Sequence, residues 1–285
     1  MKKLSALLLS LLMIFALTAC GTTTPPPEEE GDGDTADRPT LRVAMECAYA
    51  PYNWSQPTDA NDAVPIAGSS DYAYGYDVMM AKLIAEELGY DLEIVQLGWT
   101  GIIPAIQAGT VDVGICGQSI TAERLESVDF TTPYYYASIV TLVKADGPYA
   151  NAASVADLAG ATATSQLNTV WYDICLPQIP GANILPGQES APAMITALAS
   201  GRVDVVVTDK PTALSAAYVD PTLKVLEFEG ENAFAVSEEE INIGISLKKG
   251  NTELRDAING VLATMTEDDF NRMMDEAKTL QPLSE

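Results

Sequence analysis

The chain has 285 residues, 47% of them hydrophobic, and sets 40 Asp and Glu against 15 Lys and Arg for a formal charge of −25. That length and apolar content suffice for one large or two ordinary domains with packed cores, and they exclude a disordered acidic tail. The sequence contains no histidine, which removes Ser-His-Asp triads, Cys-His pairs and His-based zinc sites. An acidic surface without a Lys/Arg stripe repels phosphate backbones, so no nucleic-acid partner is expected.

Lys2 and Lys3 precede an apolar run from Leu4 to Ala19, shorter than the ~20 residues of a spanning helix and shaped like an export signal. The run ends in Leu17-Thr18-Ala19-Cys20-Gly21, which resembles a bacterial lipoprotein signal with cleavage before a lipidated Cys20; an ordinary signal peptide with a chance cysteine is the alternative. Residues 1–20 are thus read as a lipoprotein signal peptide. Residues 21–37 switch to Thr, Pro, Glu, Asp and Gly without a large apolar residue, the composition of a solvated tether. Cys47, Cys116 and Cys175 remain, with no CxxC spacing, and their pairing stays open.

From Leu41 short apolar strands alternate with helical stretches, the pattern of an α/β protein with largely parallel sheets. Leu41–Met45 reads as a strand, and Ser55–Tyr74 as a long polar segment that is either a surface insertion or a rim of a cleft. Asp77 stands where an N-cap would before an amphipathic helix Val78–Leu88, with Gly89 as its stop. Leu92–Leu97 is strand-like, Gly101–Ala108 a short helix, and Val111–Ile115 alternates as a strand. Helix end, glycine and strand recur: Leu198-Ala199-Ser200-Gly201-Arg202-Val203-Asp204-Val205 lies 92 residues after Ile106-Gln107-Ala108-Gly109-Thr110-Val111-Asp112-Val113, a weak repeat that implies two similar lobes. It places Gly117 and Asp209 just past the carboxyl ends of matching strands, where open α/β sheets bind ligands. Glu238-Glu239-Glu240 reads as a solvated charge run before a strand Ile241–Leu247, and the chain closes with helices over Asn251–Met265 and on to Ala277.

Gly117-Gln118-Ser119-Ile120-Thr121-Ala122-Glu123-Arg124, followed by Val128-Asp129-Phe130-Thr131-Thr132-Pro133-Tyr134-Tyr135, is similar to the signature of the extracellular amino-acid-binding proteins of bacterial ABC importers, solute-binding protein family 3. Gly75-Tyr76-Asp77-Val78, Gly101-Ile102-Ile103-Pro104-Ala105 and Gly109-Thr110-Val111-Asp112 add to the resemblance, which spans roughly Leu41 to Ala277. Arg124 carries a planar fork of donors suited to a carboxylate, with Ser119 and Thr121 beside it; Thr121 also reads as a helix cap. The resemblance implies that Arg124 holds a ligand α-carboxylate and that Asp209, which alone reads equally as a cap, takes the α-ammonium. It also implies that Gln166 and Thr169 contact ligand at a turn where Asn168 replaces the usual glycine; Asn tolerates a left-handed backbone. Glu46, Tyr49 and Trp99 match positions around the ligand side chain. Two aromatics and a carboxylate suit an extended cation, so arginine or lysine is the first expectation, with glutamine or histidine remaining.

The expected architecture is the two-lobed, type II periplasmic-binding-protein-like α/β fold, in which two α/β lobes joined by two crossing strands enclose a ligand cleft. One lobe comprises residues 38–132 with 242–285, the other residues 136–240, and the crossings lie at Pro133–Tyr135 and near Ile241. The expected function is capture of an amino acid by lobe closure and its delivery to a membrane permease of the ABC type, by a monomer tethered through Cys20 outside the cytoplasm, with neither metal nor cofactor and no catalysis. Two other readings stay open. A cyclic-acid dehydratase of the same fold would use Glu46 as its acid, and a sensory receptor would need a spanning helix and a signalling domain that the sequence through Glu285 does not show.

Overall fold

The computed structural model describes residues 38–282, so the leader, Cys20 and the tether lie outside the described residues. Two five-stranded sheets and one small sheet carry the fold. The first lobe opens with β1 (Thr40–Met45), the short β2 (Ala48–Tyr49), β3 (Asn53–Gln56), β4 (Val64–Pro65) and β5 (Tyr72–Tyr74), then α1 (Tyr76–Leu88), β6 (Asp91–Gln96), α2 (Ile102–Ala108), β7 (Val113–Gly114), α3 (Ala122–Ser127) and β8 (Val128–Tyr136). The second lobe holds β9 (Ile139–Lys144), β10 (Thr162–Thr164), β11 (Asn183–Ile184), α4 (Ala191–Ala199), β12 (Val205–Asp209), α5 (Lys210–Val219), β13 (Leu223–Leu226) and α6 (Glu238–Ile241). The chain returns through β14 (Asn242–Lys248) and ends in α7 (Thr252–Leu262) and α8 (Glu267–Leu280).

The sheets have matching order. In the first, β6, β1 and β7 run parallel and β14 and β8 follow antiparallel; in the second, β11, β10 and β12 run parallel and β9 and β13 follow antiparallel. The internal repeat is the corner that enters the third strand of each sheet. Gly109 and Gly201 both end a helix in the left-handed region, at φ 73° and 74°. Asp112 then exchanges bonds with the main chain of Arg42 on β1, and Asp204 does the same with Thr162 on β10. Sequence similarity here records one packing solution used twice.

Tyr135 and Pro133 on β8 pair with Ile243 and Gly244 on β14, so the two strands that cross between the lobes are hydrogen-bonded to each other. The fold departs from the sequence reading in four places. Helix α1 (Tyr76–Leu88) begins earlier than the expected Val78 start: Gly75, not Asp77, is the N-cap, and Asp77 is buried in the first turn. Ser55–Tyr74 is not a plain surface loop, because its strands β4 and β5 join β2 and β3 in a four-stranded sheet that buries Ala63, Ile66 and Tyr74. The Glu238–Glu240 run is one turn of helix closed by a Ser237–Glu240 capping box, and Val111–Ile115 pairs as a strand only at Val113–Gly114.

Candidate ligand cleft

The cleft is assembled at the carboxyl ends of the parallel strands, from the loops after β1, β6 and β7 in one lobe and after β10 and β12 in the other. Open α/β sheets place their ligand sites at this edge because the loops there leave it uncovered. Glu46, Tyr49, Trp99, Gly117, Ser119, Arg124, Gln166 and Thr169, all singled out from the sequence, line one small cavity between the lobes. Cys116 and Trp171 complete it. Asp209 stands behind Tyr49 instead of lining the cavity, and Thr121 faces a second, outer cavity of about 450 Å³ that shares Trp99, Arg124 and Thr169 with the inner one.

Arg124 lies in the first turn of α3, whose N-cap Thr121 accepts the Arg124 N–H. Thr121 therefore acts as the cap, and its hydroxyl is engaged there. The guanidinium lies 5.2 Å from the centroid of the Trp99 ring, a cation–π distance. It donates to the Ser119 carbonyl at 2.8 Å and, across the cleft, to the Asn168 carbonyl at 2.7 Å. Burial lowers its pKa to about 10, which still leaves it charged at neutral pH. No carboxylate lies within ion-pair distance of it among the described residues.

Asp209 is the N-cap of α5 and a cleft residue at once. One carboxylate oxygen accepts the Thr212 N–H at 2.9 Å, and the other accepts the Tyr49 hydroxyl at 2.6 Å from the opposite lobe. Burial pushes the Asp209 carboxyl up, against the hydrogen bond from Tyr49. Glu46, at the end of β1, accepts from the Gln166 amide of the other lobe at 3.1 and 3.3 Å. Burial raises its carboxyl to about 7, with the Gln166 bond opposing and the charge of Asp77 reinforcing the shift.

The turn after β10 folds as the sequence allows. Asn168 adopts φ 56°, and the Thr169 hydroxyl donates to the Gln166 carbonyl at 2.7 Å and accepts the Tyr172 N–H at 3.3 Å. This starts a π-helical turn over Trp171–Cys175 that delivers the Trp171 ring to within 6.4 Å of Tyr49. Trp99 closes the gap from the other side by donating its indole N–H to the Leu167 carbonyl at 2.9 Å. The cysteines Cys47, Cys116 and Cys175 are free and buried, and burial pushes the Cys47 and Cys175 thiols up to about 12, so none is poised as a nucleophile.

The chain matches the bacterial extracellular solute-binding proteins, family 3, over residues 41–276. It belongs to that family. The L-cystine-binding protein TcyJ of Escherichia coli (strain K12) is 28% identical over 249 residues, 87% of this chain and 82% of that protein. Among solved structures, an amino acid ABC transporter substrate-binding protein from Streptococcus pneumoniae Canada MDR_19A bound to L-arginine superposes with a TM-score of 0.74 at 26% identity, covering 85% of this chain and 95% of that one. An ancestral arginine-binding protein bound to glutamine superposes with a TM-score of 0.69 at 30% identity, covering 84% and 97%. The fold is that of the type II periplasmic binding proteins.

Proposed function

We propose that the protein captures a basic L-amino acid, arginine or lysine, between its lobes and hands it to an ABC permease, as a monomer tethered outside the cytoplasm through a lipid on Cys20. The observation that carries this reading is that three contacts in the cleft each imitate one group of such a ligand. The Arg124 guanidinium donates to carbonyl oxygens, where a ligand α-carboxylate would be the stronger acceptor. Asp209 accepts from the Tyr49 hydroxyl, where an ammonium would supply charge as well as a proton. Glu46 accepts from the Gln166 amide, where a guanidinium or ammonium at the end of a side chain would do the same.

The charge balance points the same way. Glu46 and Asp209 are both buried with Asp77 close enough to raise them or be raised by them, and Arg124 is the cation set among them. A ligand with net positive charge relieves that excess, whereas a dicarboxylic one adds to it. Glutamine keeps a donor for Glu46 without the charge and ranks below the basic pair. We read the protein as a binder and not as a dehydratase, because Arg124 and Asp209 carry the opposite charges that the two ends of a zwitterion call for, Asp209 once the Tyr49 hydroxyl gives way, which leaves Glu46 to recognise the tip.

Calorimetric titration of unfolded and refolded protein against the twenty amino acids tests this. One-to-one binding of arginine or lysine, at least tenfold tighter than of any neutral or acidic amino acid, is expected. Preference for a neutral or acidic amino acid removes the basic reading. Silence across the panel removes amino-acid capture and calls for a turnover assay on cyclic acids.

A further inference from the structure

Asp77, in the Gly75-Tyr76-Asp77-Val78 motif, lines neither cavity, yet it is a completely buried carboxyl. One oxygen accepts the Asn53 amide at 2.7 Å and the other accepts the Tyr134 hydroxyl at 2.6 Å. Burial holds the carboxyl up at about 6 against both of those bonds. A helix N-terminus favours an acid, but an exposed one would serve that purpose without the desolvation that this placement costs.

The use of the carboxylate is found one bond further on. A phenol has a single proton; once Tyr134 gives it to Asp77, its lone pairs are left to accept, and they take the Gly117 N–H at 3.0 Å. Gly117 sits at φ 65°, and a Cβ there would lie 2.5 Å from the Tyr49 ring, so the turn and the ring are in close contact. Tyr49 in turn donates to Asp209. Tyr134 lies on β8 between Pro133 and Tyr135, the residues that pair with the returning strand β14.

We propose that Asp77 is a positioning residue: by orienting the Tyr134 hydroxyl it fixes the Gly117 N–H, and with it the turn and the Tyr49 ring that meet the ligand, onto the strand about which the lobes hinge. An acceptor-only partner is what this task needs, since a second donor would leave the phenol free to turn its proton away from Asp77 and its lone pairs away from Gly117. The ligand-facing part of this inference rests on the proposed amino-acid site.

Tyr134→Phe removes the hydroxyl and keeps the ring. Tyr76→Phe is its control, because the Tyr76 hydroxyl is equally buried and bonds the Tyr134 carbonyl at 2.5 Å without touching Gly117. Two readouts are taken: amide exchange of Gly117 by NMR without ligand, and arginine affinity by calorimetry. Tyr134→Phe is expected to speed Gly117 exchange and weaken arginine binding by at least tenfold each, with Tyr76→Phe within threefold of wild type in both. Asp77→Asn, whose amide offers the phenol a donor as well as an acceptor, is expected to speed Gly117 exchange at least threefold, and exchange unchanged from wild type in this variant overturns the role of Asp77. Unchanged Gly117 exchange or unchanged affinity in Tyr134→Phe, or equal effects of both Phe variants, overturns the proposal. If the wild-type protein binds no amino acid, the functional reading fails by itself and the exchange measurement alone decides the role of Asp77.

Discussion

Arg124 spends both terminal nitrogens on main-chain carbonyls, one from its own lobe and one from the other, and lies against Trp99. Replacing it with alanine removes the cation that lines the inner cavity and, on the proposed reading, leaves a bound carboxylate unpaired, which costs on the order of 2–5 kcal/mol of affinity. A calorimetric loss below threefold for Arg124→Ala would remove Arg124 from the carboxylate grip. Arg124 was singled out from a motif, and Glu46, Tyr49 and Trp99 from the family resemblance; the structure places all four on the wall of one cavity. Asp209 was read as either cap or ligand contact, and the structure assigns it a cap on one oxygen and a cross-lobe bond on the other. Asp77 was misread for a physical reason: an acid before an apolar helix looks like an N-cap locally, and the partner that explains it, Tyr134, lies 57 residues along the chain. Trp171 escaped notice because only the apposition of the two lobes makes it a wall of the cavity.

The corner that repeats between the lobes shows why secondary structure was easier to read than small sheets. Its signals are local: a helix end, a left-handed glycine and an aspartate that bonds the main chain of the neighbouring strand. Asp204→Ala deprives the Thr162 N–H of the carboxylate to which it donates and loosens the β10–β12 edge, at a cost of about 1–2 kcal/mol. A urea melt should show that loss as a lower midpoint with an unchanged slope; a midpoint within error of wild type would mean that the corner is held by packing alone. The four-stranded sheet after β1 was not legible. Its strands have two to four residues, too short for alternation to register, and polar residues fill the turns between them. The Glu238–Glu240 turn was missed because its stability comes from the Ser237–Glu240 box and not from any apolar face.

At the scale of the whole molecule, matching sheets meet across a cleft that three polar pairs bridge, each lobe supplying one partner: Glu46 with Gln166, Tyr49 with Asp209, Arg124 with Asn168. On the proposed reading neither lobe alone satisfies both ends of a zwitterion, which would make ligand binding and closure one equilibrium. The two-lobed architecture followed from the alternation of strands and helices and from the repeat, while the contacts that link the lobes needed the folded chain. The central claim is that closure brings a side-chain cation to Glu46. It is tested most directly by titrating wild-type protein and Glu46→Gln with arginine and with its neutral isostere citrulline at pH 8, above the value of about 7 to which burial raises Glu46. Wild type should prefer arginine by at least tenfold, and Glu46→Gln should lose that preference while retaining citrulline. An arginine preference of the same size in both proteins would contradict the account.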